Sequence, residues 1–241
     1  ADKGNTNAMV NYGNMLEDGE GVSMNKTEGS RYFKIAADKG NIEAIYNYGV
    51  ALFNGHGVKM NKKEAGRYYK MAADKGHINA MFHYGIMLET GAGVQMNKKE
   101  ACRYYKMAAD KGSINAMSNY GAMLETGEGV SMNKTEATRY FKMAADKGQI
   151  DAMYNYGLKL CNGHGVRMNK EEACRYYKMA ADKGHINTML HYGNMLFNGE
   201  GVEMNKEEAY RYYKMAADKG QIDAMNIYGV MLQYGEGVEM N

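Results

Sequence analysis

The chain has 241 residues, and its 30 Lys and Arg residues almost balance 28 Asp and Glu residues, which leaves a net charge of +2. Basic and acidic side chains recur side by side along the whole chain, so we expect no basic surface of the kind that binds nucleic acid. No apolar run approaches the ~18 residues of a membrane-spanning helix. We therefore expect a soluble protein with no membrane insertion and no nucleic-acid partner.

The tetrapeptide Ala-Asp-Lys-Gly returns every 36 residues without any insertion. Its copies begin at Ala1, Ala37, Ala73, Ala109, Ala145, Ala181 and Ala217. A fixed period of this size is typical of solenoids, in which each unit contacts its neighbours in the sequence. We predict a single repeat array over residues 1–241, with six full units and part of a seventh, which is a piece of a longer chain.

Residues 41–54 are predicted to form the first helix of a repeat. Small and apolar side chains recur from Ala44 to Leu52 at the spacing of one helical face. The next residue, Gly55, suits the left-handed conformation that ends many helices. The loop that follows ends with Met60, which we expect to tuck into the core.

A second helix is predicted over residues 62–75. Asn61 can cap it, with Glu64 three residues further on in a capping-box arrangement, and Gly76 can end it. Two helices of this length with a short loop favour an antiparallel hairpin, and the short link to the next unit favours stacking. The sequence thus predicts an all-α fold, a right-handed superhelical solenoid of antiparallel helix pairs in 36-residue repeats.

Each first helix carries a glycine at its centre, where glycine costs about 0.8–1 kcal/mol relative to alanine. These positions are Gly13, Gly49, Gly85, Gly121, Gly157, Gly193 and Gly229. Such a cost is acceptable where the missing side chain lets two helices approach. We predict that each glycine packs against the tyrosine or alanine face of the paired second helix.

Three motifs follow one another in the repeats, with few exceptions such as Thr188 and Gly29 in place of Ala: Ala-xxx-Tyr-Gly-xx-Leu, then Gly-x-Gly-Val, then Ala-xx-Tyr-Tyr-xx-Ala-Ala. In the second unit they comprise Ala44, Tyr48, Gly49, Leu52, Gly55, Gly57, Val58, Ala65, Tyr68, Tyr69, Ala72 and Gly76. This pattern resembles Sel1-like repeats, which belong to the tetratricopeptide-like superfamily. The resemblance implies an adaptor that assembles protein complexes.

The three cysteines are Cys102, Cys161 and Cys174. An odd number cannot pair completely within the chain, and a bond from Cys161 to Cys174 would lie some three residues out of register. The resemblance also implies that secreted bacterial members of the family are rich in cysteine, with a disulfide bridge in each unit. This chain lacks those cysteines. We expect free thiols and a reducing, cytoplasmic location.

Six histidines raise the question of a metal site. His77 and His83 are six residues apart, about 240° around a helix, so they do not share a face that could bind one ion. The Gly-x-Gly-Val loops lack the further residues of a nucleotide-binding motif. No nucleophile, base and orienting group occur as a set. We therefore predict no metal site, no cofactor, no catalytic residue and no enzymatic activity.

Three positions of the first helix carry different residues from one unit to the next; the equivalent positions of all units are called a column here. The three columns share one face of the helix, beside the apolar face that is predicted to pack in the core. In tetratricopeptide-like arrays this face lines a concave groove, and here it carries aromatic, aliphatic and amide side chains. The predicted partner-binding residues are Tyr46, Asn47, Phe82, His83, Asn119, Tyr154, Asn155, Leu190 and His191.

The leading functional hypothesis is a non-enzymatic scaffold or adaptor that binds a protein segment in this groove. A helical-repeat RNA-binding module of the pentatricopeptide type is the alternative, but it would need a basic groove; an enzyme comes third. Because helices 5–18 and 221–234 are expected to leave apolar surface open, end-to-end self-association is also expected.

Overall fold

The computed structural model describes residues 5–234, and within this range the chain forms thirteen α-helices and no strand. The helices are α1 (Thr6–Asp18), α2 (Lys26–Asp38), α3 (Ile42–Asn54), α4 (Lys62–Asp74), α5 (Ile78–Thr90), α6 (Lys98–Asp110), α7 (Ile114–Thr126), α8 (Lys134–Asp146), α9 (Ile150–Asn162), α10 (Lys170–Asp182), α11 (Ile186–Asn198), α12 (Lys206–Asp218) and α13 (Ile222–Tyr234). Odd numbers are first helices of a repeat and even numbers are second helices. The first Ala-Asp-Lys-Gly copy lies outside the described residues.

Two compact units divide the chain, one up to Met123 with Gly127–Ser131, the other comprising Leu124–Thr126 and the chain from Met132 onwards. In the first unit, α1 pairs with α2, α3 with α4 and α5 with α6, while α3 and α5 also pack on the preceding second helix. In the second unit, α9 pairs with α10 and α11 with α12, and the same stacking continues to α13. The predicted all-α class, a solenoid of helix pairs in 36-residue repeats, is confirmed.

Local capping produces the helix ends at the predicted positions. The Asn61 side chain accepts a hydrogen bond from the Glu64 backbone N–H at 3.1 Å, and its amide donates to the Glu64 carboxylate at 3.2 Å. At the end of α3, Gly55 adopts φ of 76°, and its N–H donates to the Ala51 carbonyl. These interactions span three or four residues, so they could be predicted from sequence alone.

The central glycines of the first helices lie against aromatic rings of the paired second helices, as predicted. A Cβ atom at Gly157 would lie 2.4 Å from Cε1 of Tyr177, and one at Gly49 would lie 3.0 Å from Cδ1 of Tyr69. The missing side chain therefore gives room to a buried ring in the paired helix. At Gly229, by contrast, no atom of residues 5–234 lies within 4 Å of a built Cβ.

The expectation that Met60 tucks into the core is wrong, because 56% of its surface is exposed. The N–H of the next residue, Asn61, donates to the Leu52 carbonyl at 2.8 Å and fixes the loop against the end of α3. Behind this bond the core is already filled by Leu52 and Ala65, which are 4% and 0% exposed. The methionine side chain is therefore left at the surface.

Consecutive second helices are joined by tyrosine hydroxyls, which the sequence did not reveal. The Tyr104 hydroxyl of α6 donates to the Asp74 carboxylate at the end of α4 over 3.0 Å, and Lys70 pairs with the same carboxylate at 2.5 Å. In the second unit, Tyr212 donates to Asp182 at 2.7 Å. The lysine and aspartate pattern, which alone indicates a solvated outer face, thus also ties one repeat to the next.

Candidate functional site

The variable columns of the first helices form a half-buried surface, here called the first-helix surface. In the first unit its predicted members are Tyr46, Asn47, Phe82, His83 and Asn119. In the second unit they are Tyr154, Asn155, Leu190 and His191. All nine side chains are neither fully buried nor fully exposed. The surface mixes rings, imidazoles and amides in both units, each considered by itself.

Four rings of the first unit form a cluster on this surface. Tyr46 stacks on His77 with 4.4 Å between ring centroids, and its ring lies 5.9 Å from that of His83. The His83 ring in turn stacks on Tyr69 of α4 at 5.6 Å. Three helices, α3, α4 and α5, therefore hold one aromatic cluster, and Tyr46 is engaged in it rather than standing free.

His77 has a structural role that its residue type did not indicate. It is the N-cap of α5, where its Nδ1 accepts a hydrogen bond from the Ala80 N–H at 3.1 Å. Its Nε2 lies 3.1 Å from the Glu43 carboxylate, so the proton of the neutral ring resides on Nε2 and is donated to Glu43. Burial lowers the pKa of His83, and the neighbouring His77 lowers it further. Burial therefore favours the neutral imidazole at His83.

The second unit contains the same cluster, built from Tyr154, Tyr177, His185 and His191. Tyr154 lies 5.0 Å from His185 and 5.6 Å from His191, and His191 stacks on Tyr177 at 5.3 Å. His185 caps α11 by accepting from the Thr188 N–H at 3.2 Å. The His191 imidazole therefore covers Tyr177 of α10, as the His83 imidazole covers Tyr69 of α4 in the first unit.

The predicted anchor Phe82 is also partly engaged in packing. Its ring meets the His83 ring at 5.5 Å and an interplanar angle of 63°, and it lies 5.9 Å from Tyr105. Leu190 is half-buried in the corresponding column of α11. Both side chains are therefore only partly exposed.

A cleft opens on the first-helix surface of the second unit, between α11 and α13. Its volume is about 440 Å³. Six apolar or aromatic side chains line it, namely Phe197, Tyr213, Ile227, Val230, Met231 and Tyr234. Three asparagines complete the lining, namely Asn194, Asn198 and Asn226. The Tyr213 hydroxyl donates to the Asn194 side-chain oxygen at 2.8 Å. No charged side chain is among these nine residues.

A smaller cleft of about 160 Å³ occupies the equivalent place between α1 and α3 in the first unit. Its lining includes Asn14, Phe33, Asn47 and Val50, together with charged groups such as Glu17. Equivalent helices therefore form both clefts: α1, α2 and α3 in the first unit, and α11, α12 and α13 in the second. The lining residues differ because the residues in the variable columns differ between repeats.

Both clefts coincide with a residue other than histidine in the column that holds His83 and His191. Where His83 or His191 occupies it, the imidazole lies on the tyrosine of the second helix and fills the space. Where Asn47 or Ile227 occupies it, the space remains open. Sequence reasoning missed Tyr213 as part of the surface, although the change from His191 to Ile227 in one column was a usable signal.

The metal-ligating and thiol side chains of the described residues are dispersed or shielded. Within residues 5–234, no three His, Cys, Asp or Glu side chains are grouped so that they could hold a metal ion. Burial raises the pKa of Cys102 and Cys161, and burial together with Cys161 raises that of Cys174 to about 11. All three cysteines are free thiols here and favour the protonated form, which is a poor nucleophile.

None of the thirteen described helices is long and apolar enough to cross a membrane. This agrees with the absence of a long apolar run in the sequence.

The Sel1 repeat matches seven consecutive segments of the chain, at residues 6–41, 42–77, 78–113, 114–149, 150–185, 187–221 and 222–240. No curated protein matches the sequence.

Among solved structures, the chain is similar to a protective antigen of uropathogenic Escherichia coli that displays an SLR fold. The TM-score is 0.94 and the identity 26%, and the match covers 97% of this chain and 50% of the antigen. It is also similar to a Sel1 repeat protein from Oxalobacter formigenes, with a TM-score of 0.79 and 30% identity over 89% of this chain and 88% of that protein. The present chain thus spans about half the length of the E. coli protein.

Proposed function

This chain belongs to the Sel1 repeat family, and we propose that it is a non-enzymatic scaffold that binds an extended segment of a partner protein along the first-helix surface. Sel1 repeat proteins are in general helical-repeat scaffolds for protein interactions. The proposal assigns this general role to particular residues of the chain.

The observation that carries the proposal is the cleft of about 440 Å³ between α11 and α13. This volume is within the roughly 300–1,000 Å³ of common ligand sites. Its apolar walls suit a large apolar side chain, while Asn194 and Asn226 can each donate to and accept from a peptide backbone. Because the lining carries no charge, the segment that enters it is expected to be neutral at this point. The same lack of basic side chains disfavours RNA.

The cleft is one contact along a longer surface within the second unit. Leu190 and Tyr154 lie in the same column as Asn226, one and two repeats earlier respectively. An extended segment that follows this column would meet Leu190 before it reaches the cleft. In the first unit, Phe82 occupies the corresponding position of α5.

The experiment begins with affinity capture by the intact chain, followed by affinity measurements of the purified partner for single variants. Ile227→Asn installs the residue that the same column carries at Asn47, so we expect it to fold. It should weaken binding about tenfold by removing an apolar wall. Truncation of Phe82 or Tyr154 to alanine should cost about 2 kcal/mol, roughly thirtyfold in affinity, if the ring is an anchor.

Lys70→Ala is the control, because Lys70 lies on the exposed face of α4, where it pairs with Asp74, and is not a member of the first-helix surface. It should change affinity by less than about 0.5 kcal/mol. Circular dichroism would show that every variant remains helical. If Lys70→Ala weakens binding while the Ile227, Phe82 and Tyr154 variants do not, the partner binds the second-helix face and the proposal is wrong.

A further inference from the structure

Six methionines occupy the same loop position, one in each of the first six repeats, directly before the asparagine that caps the second helix. They are here called the loop methionines: Met24, Met60, Met96, Met132, Met168 and Met204. Their side chains are 56–64% exposed. Methionines of the first helices differ sharply, since Met81, Met117, Met153 and Met189 are each 1% exposed. One residue type thus occurs in two environments within each of several repeats.

The exposure of the loop methionines follows from the backbone rather than from chance rotamers. After each loop methionine, the asparagine N–H donates to a leucine carbonyl near the end of the first helix, as from Asn61 to Leu52 at 2.8 Å and from Asn205 to Leu196 at 2.9 Å. This bond holds the loop outside the helix pair. A methionine that is this exposed loses most of the stabilisation that full burial of its apolar side chain would give.

We propose that the loop methionines are oxidant-reactive modification sites, which a hydroperoxide converts to methionine sulfoxides while the fold persists. The thioether sulfur attacks one oxygen of hydrogen peroxide, so that an S–O bond forms and the O–O bond breaks. The departing oxygen leaves as water after it takes up the proton of the transferred hydroxyl. The sulfur loses two electrons and the peroxide gains them.

Two features of the structure direct the oxidant to these positions. The cysteines, which would otherwise compete, are disfavoured because burial raises the pKa of each thiol, to about 11 for Cys174. The sulfoxide, which is polar, is solvated at a loop position, whereas at Met81 or Met153 it would place a polar group in the core. Each of the six loop methionines, all within the described residues, can therefore consume one oxidant equivalent without loss of packing.

The test is a time course of the intact chain in hydrogen peroxide, with oxidation at each methionine measured by peptide mass spectrometry. The loop methionines should be oxidised about tenfold faster than Met81, Met117, Met153 and Met189. Met71, Met179 and Met215 of the second helices are 40–45% exposed and should be oxidised at intermediate rates. Rates at loop and core positions that agree within about twofold would overturn the proposal.

A chain with all six loop methionines changed to leucine provides the matched variant. This variant should lose the fast phase of hydrogen peroxide consumption at these six positions. A chain with Met81→Leu and Met153→Leu should keep that fast phase. Circular dichroism of the wild-type chain after the fast phase should match the untreated protein. If helicity collapses as the loop methionines react, the fold does not tolerate their oxidation and the proposal fails. The peptide rates of the wild-type chain decide the matter even if a leucine variant misfolds.

Discussion

Substitution of the central glycines by alanine should change stability in opposite directions at equivalent positions. In Gly157→Ala the new Cβ would lie 2.4 Å from Cε1 and 2.7 Å from Cδ1 of Tyr177, against about 3.5–4.0 Å for a relaxed carbon contact. The Tyr177 ring is 1% exposed and is covered by His191, so it has little room to move. Overpacking costs about 1–3 kcal/mol. Alanine regains about 0.8–1 kcal/mol of helix propensity, which leaves a net loss of up to about 2 kcal/mol.

Gly229→Ala is the matched control, because no atom of the described part of the chain lies within 4 Å of a Cβ built there. This variant should keep the propensity gain and be more stable than the wild type by up to about 1 kcal/mol. Gly49→Ala, with its nearest contact at 3.0 Å to Tyr69, should fall between the two. The three variants make the same chemical change at the same helical position, so their order depends on tertiary contacts alone.

Urea denaturation followed by circular dichroism measures the three free energies of unfolding. The expected order of stability is Gly229→Ala, then Gly49→Ala, then Gly157→Ala. If Gly157→Ala were as stable as the wild type, or Gly229→Ala lost as much as Gly157→Ala, the central glycines would not be explained by close ring packing.

Three further changes test other contacts. Tyr104→Phe removes the hydroxyl that binds Asp74 and should lower the free energy of unfolding by about 1 kcal/mol in urea melts. Burial, with a smaller contribution from a neighbouring imidazole, lowers the folded pKa of His191 below its usual 6.5, so the unfolded chain binds the proton more readily. Stability should therefore fall as pH drops through about 6.5, and His191→Phe should reduce this pH dependence in thermal melts at pH 7 and pH 5. In a thiol-reagent assay, half-buried Cys161 should react before buried Cys174.

Each of these predictions has a contrary result. A Tyr104→Phe chain with wild-type stability would show that the hydroxyl contributes nothing to the junction between repeats. An unchanged pH dependence in His191→Phe would assign the effect to other groups. Faster reaction at Cys174 than at Cys161 would contradict the burial of the second-helix thiol.

Short-range features of the sequence were enough to predict the repeat, the helix pairs and the helix ends. The Asn61 cap and the Gly55 helix end depend on groups three or four residues apart, and the 36-residue period shows how often they recur. Even the close packing at Gly157 could be predicted, because a central glycine is too costly in a helix without a packing reason. Local chemistry and periodicity were sufficient for these features.

Which side chains lie on the surface, and what they can bind, depends on tertiary packing. The stack of Tyr46 on His77 joins residues 31 positions apart in two repeats, and the cleft beside Ile227 requires three helices at once. Met60 is apolar, yet it is exposed because Leu52 and Ala65 already fill the space behind it. Whether a side chain is available depends on the volume left by neighbours distant in sequence, and no pattern within one helix contains that quantity.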